Sequence, residues 1–317
     1  MGCWAIGGPW EFLGVPDGWS RVDDGESLRA IQHALDLGVN FFDTAANYGA
    51  GHSERLLGQA FKGRRDRVVI STKFGYDVNE AAKQVKNYGA SEEDGAVAPF
   101  IRASLEDSLR RLDTDTIDIY LLHVWGLKVE HALAARDVLE DLVKEGKIRT
   151  YGWSTDRSDA IQAFATSPNC GVLEQELSVF DGSLELLALA EKLNLGSLNR
   201  GPLGMGILTG KFAPTTTFAE DDVRRHAAWH AGFKDGKPSQ VWLDQLAAIR
   251  EVLTSGGRTL AQGALAWIWA CSPLTVPIPG FKTVAQVDEN CRAMDFGPLT
   301  PEQMAEIDRI LGRAVKA

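Results

Sequence analysis

Metal binding and disulfide bonding have little to work with in this sequence. Of 317 residues, only four are cysteine and six histidine. Cys3, Cys170, Cys271 and Cys291 form no C-x-x-C pair. A chain this long needs no disulfide framework, so a reducing compartment is expected. Positive charge is also in deficit: 33 Lys and Arg face 43 Asp and Glu, a net charge of −10. A diffuse nucleic-acid or anionic-membrane footprint needs the opposite sign. Any anionic ligand is therefore left to a few local Lys or Arg side chains. No charged-then-apolar leader stands at the start, and no uncharged apolar run reaches the ~18 residues of a membrane span. The expectation is a soluble, cytoplasmic protein without a nucleic-acid or membrane partner; its oligomeric state is not legible here.

The chain does have ample core, 44% hydrophobic against 24% charged. Short β-rich runs alternate with amphipathic segments. The runs are GVNFFD, RVVISTK, TIDIYLLH, IRTYGWS, GVLEQEL, LGSLN and LTVPIPG, preceded by MGCWAIGG. Helical patterns such as ESLRAIQHALDLG and SLELLALAEKLN separate them. This rhythm of about eight βα units predicts an α/β fold with a parallel sheet, closed as a (β/α)8 TIM barrel. One domain over residues 1–317 is expected, with extra loops and helices at its C-terminal face. Ser53 is read as a helix cap, and Gly146 as a helix stop. Residues 75–98 form a polar loop, and an irregular stretch runs to about Pro238.

Three successive strands end in groups that handle protons. Asp43 closes FFD, with Tyr48 just beyond; Lys73 closes VVISTK; His123 closes IDIYLLH. In a barrel all strand ends share one mouth. Alternation puts Val69, Ser71 and Lys73 on one face, and Ile117, Ile119, Leu121 and His123 on another. Taken singly, a strand-end Asp or Lys reads as a solvated loop residue, and a histidine as a satisfied structural one. Together they predict an Asp43–Lys73 pair inside the barrel. The ammonium would sit beside the Tyr48 hydroxyl, lowering the phenol's pKa from ~10 toward a usable acid. His123 would hold the same substrate oxygen. The chemistry suited to this group is proton delivery to a carbonyl.

These pieces resemble the aldo-keto reductase superfamily. The resemblance rests on GVNFFDTAANYGAGHSERLLG, VVISTKFG, DIYLLHVW, GWST, LEQ, NRGPLGMGILTGKF and PIPGFKTVAQVDEN, which occur in family order over nearly the whole chain. It implies a (β/α)8 barrel binding NADPH in extended form, and reduction of a small-molecule aldehyde or ketone by hydride transfer. Asp43, Tyr48, Lys73 and His123 match the catalytic tetrad, with Tyr48 the general acid. The resemblance assigns Ser154, Thr155 and Gln175 to the nicotinamide carboxamide. It runs the pyrophosphate along Arg200, Gly201, Pro202, Leu203, Gly204, Gly206 and Lys211. Gly280, Lys282, Thr283 and Gln286 would take the adenosine phosphate, with Glu289 and Asn290 at the adenine. Trp4 and Trp125 would wall the substrate pocket. Lys282 and Thr283 also follow the last strand at a helix start, where backbone N–H groups and a cation suit an anion.

Three departures accompany the resemblance. Thr155 stands where many relatives have Asn. Arg200 and Gly201 stand where many have Tyr-Ser, so a guanidinium plane would replace an aromatic stack on the nicotinamide. The N-terminal hairpin of relatives is missing, which leaves the first strand short or the barrel bottom open.

Two motifs are decoys. GMGILTG at 204–210 has the wrong spacing for G-x-G-x-x-G and opens no Rossmann unit. HAAWH at 226–230 puts two histidines four apart but lacks the Glu of H-E-x-x-H, so no metal is expected. Two alternatives to a reductase remain. One is a non-catalytic NADP(H)-binding sensor on the same fold. The other is a metal-dependent barrel hydrolase, for which strand-end ligands are too few.

Overall fold

The computed structural model describes residues 1–87, 97–124 and 126–313. Seven strands form one parallel sheet in chain order: β1 (Phe41–Asp43), β2 (Val69–Phe74), β3 (Ile117–Leu122), β4 (Ile148–Ser154), β5 (Cys170–Glu176), β6 (Gly196–Arg200) and β7 (Thr275–Pro277). Helices cross between them and pack outside, so the outward faces of the strands bury Phe42, Ile70, Tyr120, Trp153 and Leu173 completely. The inward faces meet in a second apolar layer of Phe41, Val69, Ile119, Leu121, Val172 and Leu198.

The sheet closes through its first residues. Gly2 bridges in parallel to Asp43 on one edge and to Gly280 on the other. Gly2 N donates to Pro279 O at 2.9 Å, Cys3 N to Asp43 O at 2.8 Å, and Asp43 N to Met1 O at 2.9 Å. A stub thus serves as the eighth stave of the (β/α)8 barrel. Only glycine suits position 2, because a Cβ there would lie 2.5 Å from Ile278 O. The short first strand agrees with the sequence expectation. The interior below the site is filled by the apolar layer, with Phe41 and Val69 part-buried. A hairpin of Glu11–Phe12 and Val15–Pro16 follows the stub; it pairs with Gln84–Lys86 and so joins Asp77–Asn79 in a small sheet at the mouth.

Two local expectations change. The segment read as a polar loop carries the Asp77–Asn79 and Gln84–Lys86 strands, while residues 88–96 lie outside those described. Ser53 is not a cap: the helix His52–Ala60 starts after Gly51, whose φ of 87° is left-handed. The Ser53 hydroxyl instead donates to Cys3 O at 2.9 Å, tying that helix to the stub. The stop at Gly146 stands, with φ 73° directly after the helix Val129–Lys144 and its cap. Among the described residues no helix is long and apolar enough to cross a membrane.

Candidate active site

At the C-terminal ends of the strands lies a continuous cleft of about 1190 Å³. Behind its lining residues Asp43, Tyr48 and His123 sits a lysine that water does not reach. Lys73 projects inward from β2 and is fully buried. Its Nζ donates to Asp43 Oδ2 at 2.6 Å, to Thr44 O at 2.9 Å and to the Tyr48 hydroxyl at 3.4 Å. Burial pulls its pKa down, but Asp43 and then Glu174 outweigh that and keep the ammonium charged. His123 stands against Tyr48, ring centroids 5.8 Å apart and edge-on. Burial, then Lys73 and Arg200, push its pKa well below the usual value, so the imidazole is neutral at neutral pH. Asp43, Tyr48, Lys73 and His123 therefore converge.

The phenol departs from the sequence expectation. Its pKa is raised, not lowered. Burial is the largest cause; Lys73 pulls downward, but Asp43 and Glu174 push back. A lysine whose charge is already engaged by Asp43 at 2.6 Å offsets only part of the burial.

The second carboxylate is a residue that sequence reading passed over. Glu174 points into the barrel from β5 and is 1% exposed. Its Oε2 lies 3.3 Å from Lys73 Nζ, and its Oε1 accepts from Ser154 Oγ at 3.0 Å. Gln175 takes the opposite face, as strand alternation demands. Its amide donates to Ser197 Oγ at 3.0 Å outside the barrel, so it is turned away from the cleft. Gln175, assigned by the resemblance to the carboxamide, is therefore not among the residues that line the cleft. Thr155 is likewise fully buried; its hydroxyl accepts from Arg157 N at 3.2 Å. Ser154 does line the cleft.

One wall of the cleft follows β6. Arg200, Gly201, Pro202, Leu203, Gly206 and Lys211 line it. Gly204 is buried beneath, where a Cβ would meet the Trp242 ring at 2.9 Å. The Arg200 guanidinium is engaged by Glu176 and Asp156. Beyond β7, Gly280, Lys282, Gln286, Glu289 and Asn290 line the far end. Thr283 does not; it caps the helix Val284–Cys291 by accepting from Gln286 N. Gln286 Oε1 accepts from Lys282 N at 2.7 Å, and Asn290 Nδ2 donates to Gly280 O at 3.3 Å.

Arg224, from the irregular stretch, enters the far end unforeseen. It packs over Trp19 and Phe218 at 4.6 and 4.5 Å. Lys211 and Lys282 share this end, and Asp222 accepts from Arg224 and from the Ser20 hydroxyl. Burial and then Arg224 push Lys282 down to about 8. Two half-buried lysines, each depressed by burial and by Arg224, mark a site for an anion. The near end is opposite in character. Trp4 stacks on Tyr48 at 6.0 Å, Tyr76 meets His123 edge-on at 5.4 Å, and Phe12 meets Tyr76 at 5.5 Å. Asp17 and Trp10 complete that wall. Trp125 lies outside the described residues. HAAWH is not one helix face: the helix covers Val223–His226, and His230 Nδ1 accepts from Gly232 N beyond it.

The whole-chain pattern agrees with this layout. The family model for the aldo/keto reductase family matches residues 1–312. The chain belongs to the aldo/keto reductase family. Aldo-keto reductase YhdN of Bacillus subtilis (strain 168) is 28% identical over 99% of this chain and 90% of its own length. Aldo-keto reductase yakc [NADP(+)] of Schizosaccharomyces pombe is 31% identical over 83% of this chain and 76% of its own. Among solved structures, the glycerol dehydrogenase AKR11B4 from Gluconobacter oxydans superposes with TM-score 0.80 at 29% identity, covering 98% of this chain and 90% of that one. The aldo-keto reductase AKR11C1 from Bacillus halodurans, holo form, gives 0.76 at 26% identity, covering 100% and 92%. The protein is an oxidoreductase of that family.

Proposed function

We propose that this aldo/keto reductase reduces aldehydes or ketones to alcohols with NADPH, using Tyr48 as the proton donor. The observation that carries the reading is the convergence of Tyr48, Lys73, Asp43 and His123 at one end of a cleft whose other end is cationic. Lys211, Arg224 and Lys282 suit the phosphates of NADPH, and Gly201 and Gly206 suit close backbone approach. NADPH, when bound, supplies the hydride. Tyr48 gives its proton to the substrate oxygen, and neutral His123 orients that oxygen from the side. Asp43 keeps Lys73 charged and fixed below the phenol. A tyrosine held above its ordinary pKa stays protonated across neutrality, which is the state reduction consumes.

The near end favours an uncharged, hydroxyl-bearing substrate. Asp17 has its carboxyl pushed up to about 7 by burial, with no partner offsetting it. Its main-chain oxygen accepts from Trp4 Nε1 at 3.3 Å, which sets it beside the ring stacked on Tyr48. A carboxyl among aromatic walls hydrogen-bonds hydroxyls and repels carboxylate or phosphate groups. The test is NADPH consumption against a panel of small aldehydes and ketones, with NADPH affinity followed by tryptophan fluorescence. Turnover is expected, fastest with neutral hydroxylated carbonyls. Tight NADPH binding with no turnover on any carbonyl would favour the sensor reading instead.

A further inference from the structure

We propose that Glu174 is a positioning residue of the reductase, working through Lys73 in its protonated form. This rests on the reading of Tyr48 as proton donor. Two carboxylates flank one buried ammonium: Asp43 at 2.6 Å and Glu174 at 3.3 Å. Neither is solvated, at 2% and 1% exposure. Asp43 Oδ1 and Glu174 Oε2 are both buried without a hydrogen-bond partner. A lone lysine cannot satisfy two such anions in a dry site, so one of them carries a proton. The hydrogen bonds decide which. Asp43 takes the short contact from Lys73, whereas Glu174 takes only the longer one and a neutral hydroxyl from Ser154. Burial and Asp43 raise Glu174 to about 7, against the pull of Lys73 and Arg200.

The consequence reaches the phenol. With Glu174 protonated, Lys73 faces one anion and keeps a positive field at Tyr48, 3.4 Å away. With Glu174 ionised, the lysine faces two anions and the phenol holds its proton more tightly. Reduction therefore slows as pH rises through the Glu174 titration. The other groups facing this spot are accounted for. Tyr48 lies above its ordinary range and His123 well below its own, so neither titrates near neutrality. Arg200 stays charged in its pair with Glu176 and Asp156. Glu176 and, across the cleft, Asp17 also rise to about 7, so the substitution at 174 is what separates them.

The test compares wild type with Glu174→Gln and Glu174→Leu. Wild-type single-turnover reduction is expected to fall several-fold between about pH 6 and about pH 8, with Glu174→Gln flat across that range. Glu174→Leu, which cannot bond Ser154, should lose activity at both values. Thermal melting of the cofactor-free protein gives a readout independent of turnover. A carboxyl whose folded pKa is raised loses stability as pH climbs from its unfolded value through its folded one. Glu174→Gln should therefore match wild type near about pH 5 and melt higher near about pH 8. An unchanged pH break in Glu174→Gln, or a lower melting temperature at the higher pH, would overturn the proposal. Unimpaired reduction by Tyr48→Phe would instead remove the functional reading on which the first arm depends, leaving the melting arm to judge Glu174 alone.

Discussion

The Tyr48 hydroxyl sits where burial and a neighbouring cation oppose each other, and burial wins. The sequence places a lysine near the phenol but says nothing of how much of its charge is already spoken for. Asp17 poses the complementary case, a carboxyl with aromatic neighbours and no counter-charge. Asp17→Asn is expected to cost about tenfold in kcat/KM for a hydroxylated aldehyde, with little change for an aliphatic aldehyde of equal length. Equal losses on both would remove Asp17 from substrate recognition. Lys73 and His123 were legible because alternation along a strand is a strict rule once the mouth is known. Gln175 was not, because GVLEQEL begins with neighbouring apolar residues that each have a core to face. Val172 joins the barrel interior and Leu173 the outer layer, so the run carries no parity. The pairing of Ser154 with Glu174 across β4 and β5 supplies it.

At the scale of elements, the loop that carries Tyr48 is fixed by backbone contact. Gly49 has φ 62°, and a Cβ there would lie 2.0 Å from Gly7 O. Gly49→Ala is expected to destabilise the fold by about 2 kcal/mol or more and to displace Tyr48, seen as a lower melting temperature and lost reduction. Wild-type melting would contradict that account of the loop. At the far end, Lys282 at about 8 gives NADPH binding a pH dependence. The phosphate contact needs the ammonium, so affinity should weaken as pH rises past about 8, and less so for NADH. In Lys282→Ala, NADPH should weaken far more than NADH; equal losses would count against a phosphate contact there. The β strands and major helices were readable from periodicity. Arg224, Trp19 and Asp17 come from irregular segments, whose path is set by contacts such as Val223 N to Gly18 O at 2.7 Å. No local pattern encodes those.

Across the whole molecule, the cleft is bipolar on a chain of net charge −10. Lys211, Arg224 and Lys282 gather at one end against the general balance, and aromatic rings wall the other. That division orients an anionic cofactor before any contact is made. Barrel closure serves the same site, because the stub that joins β1 to Gly280 also bonds the main chain of Asp43. The barrel was legible from the number of βα units and its first strand was expected to be short; how so short a stub bonds both edges of the sheet was not. The account comes down to a proton leaving Tyr48 as the carbonyl is reduced. Single-turnover reduction by the NADPH complex of Tyr48→Phe measures that directly. The rate should fall by about 100-fold or more, with NADPH affinity nearly unchanged. A mutant as fast as wild type would contradict it.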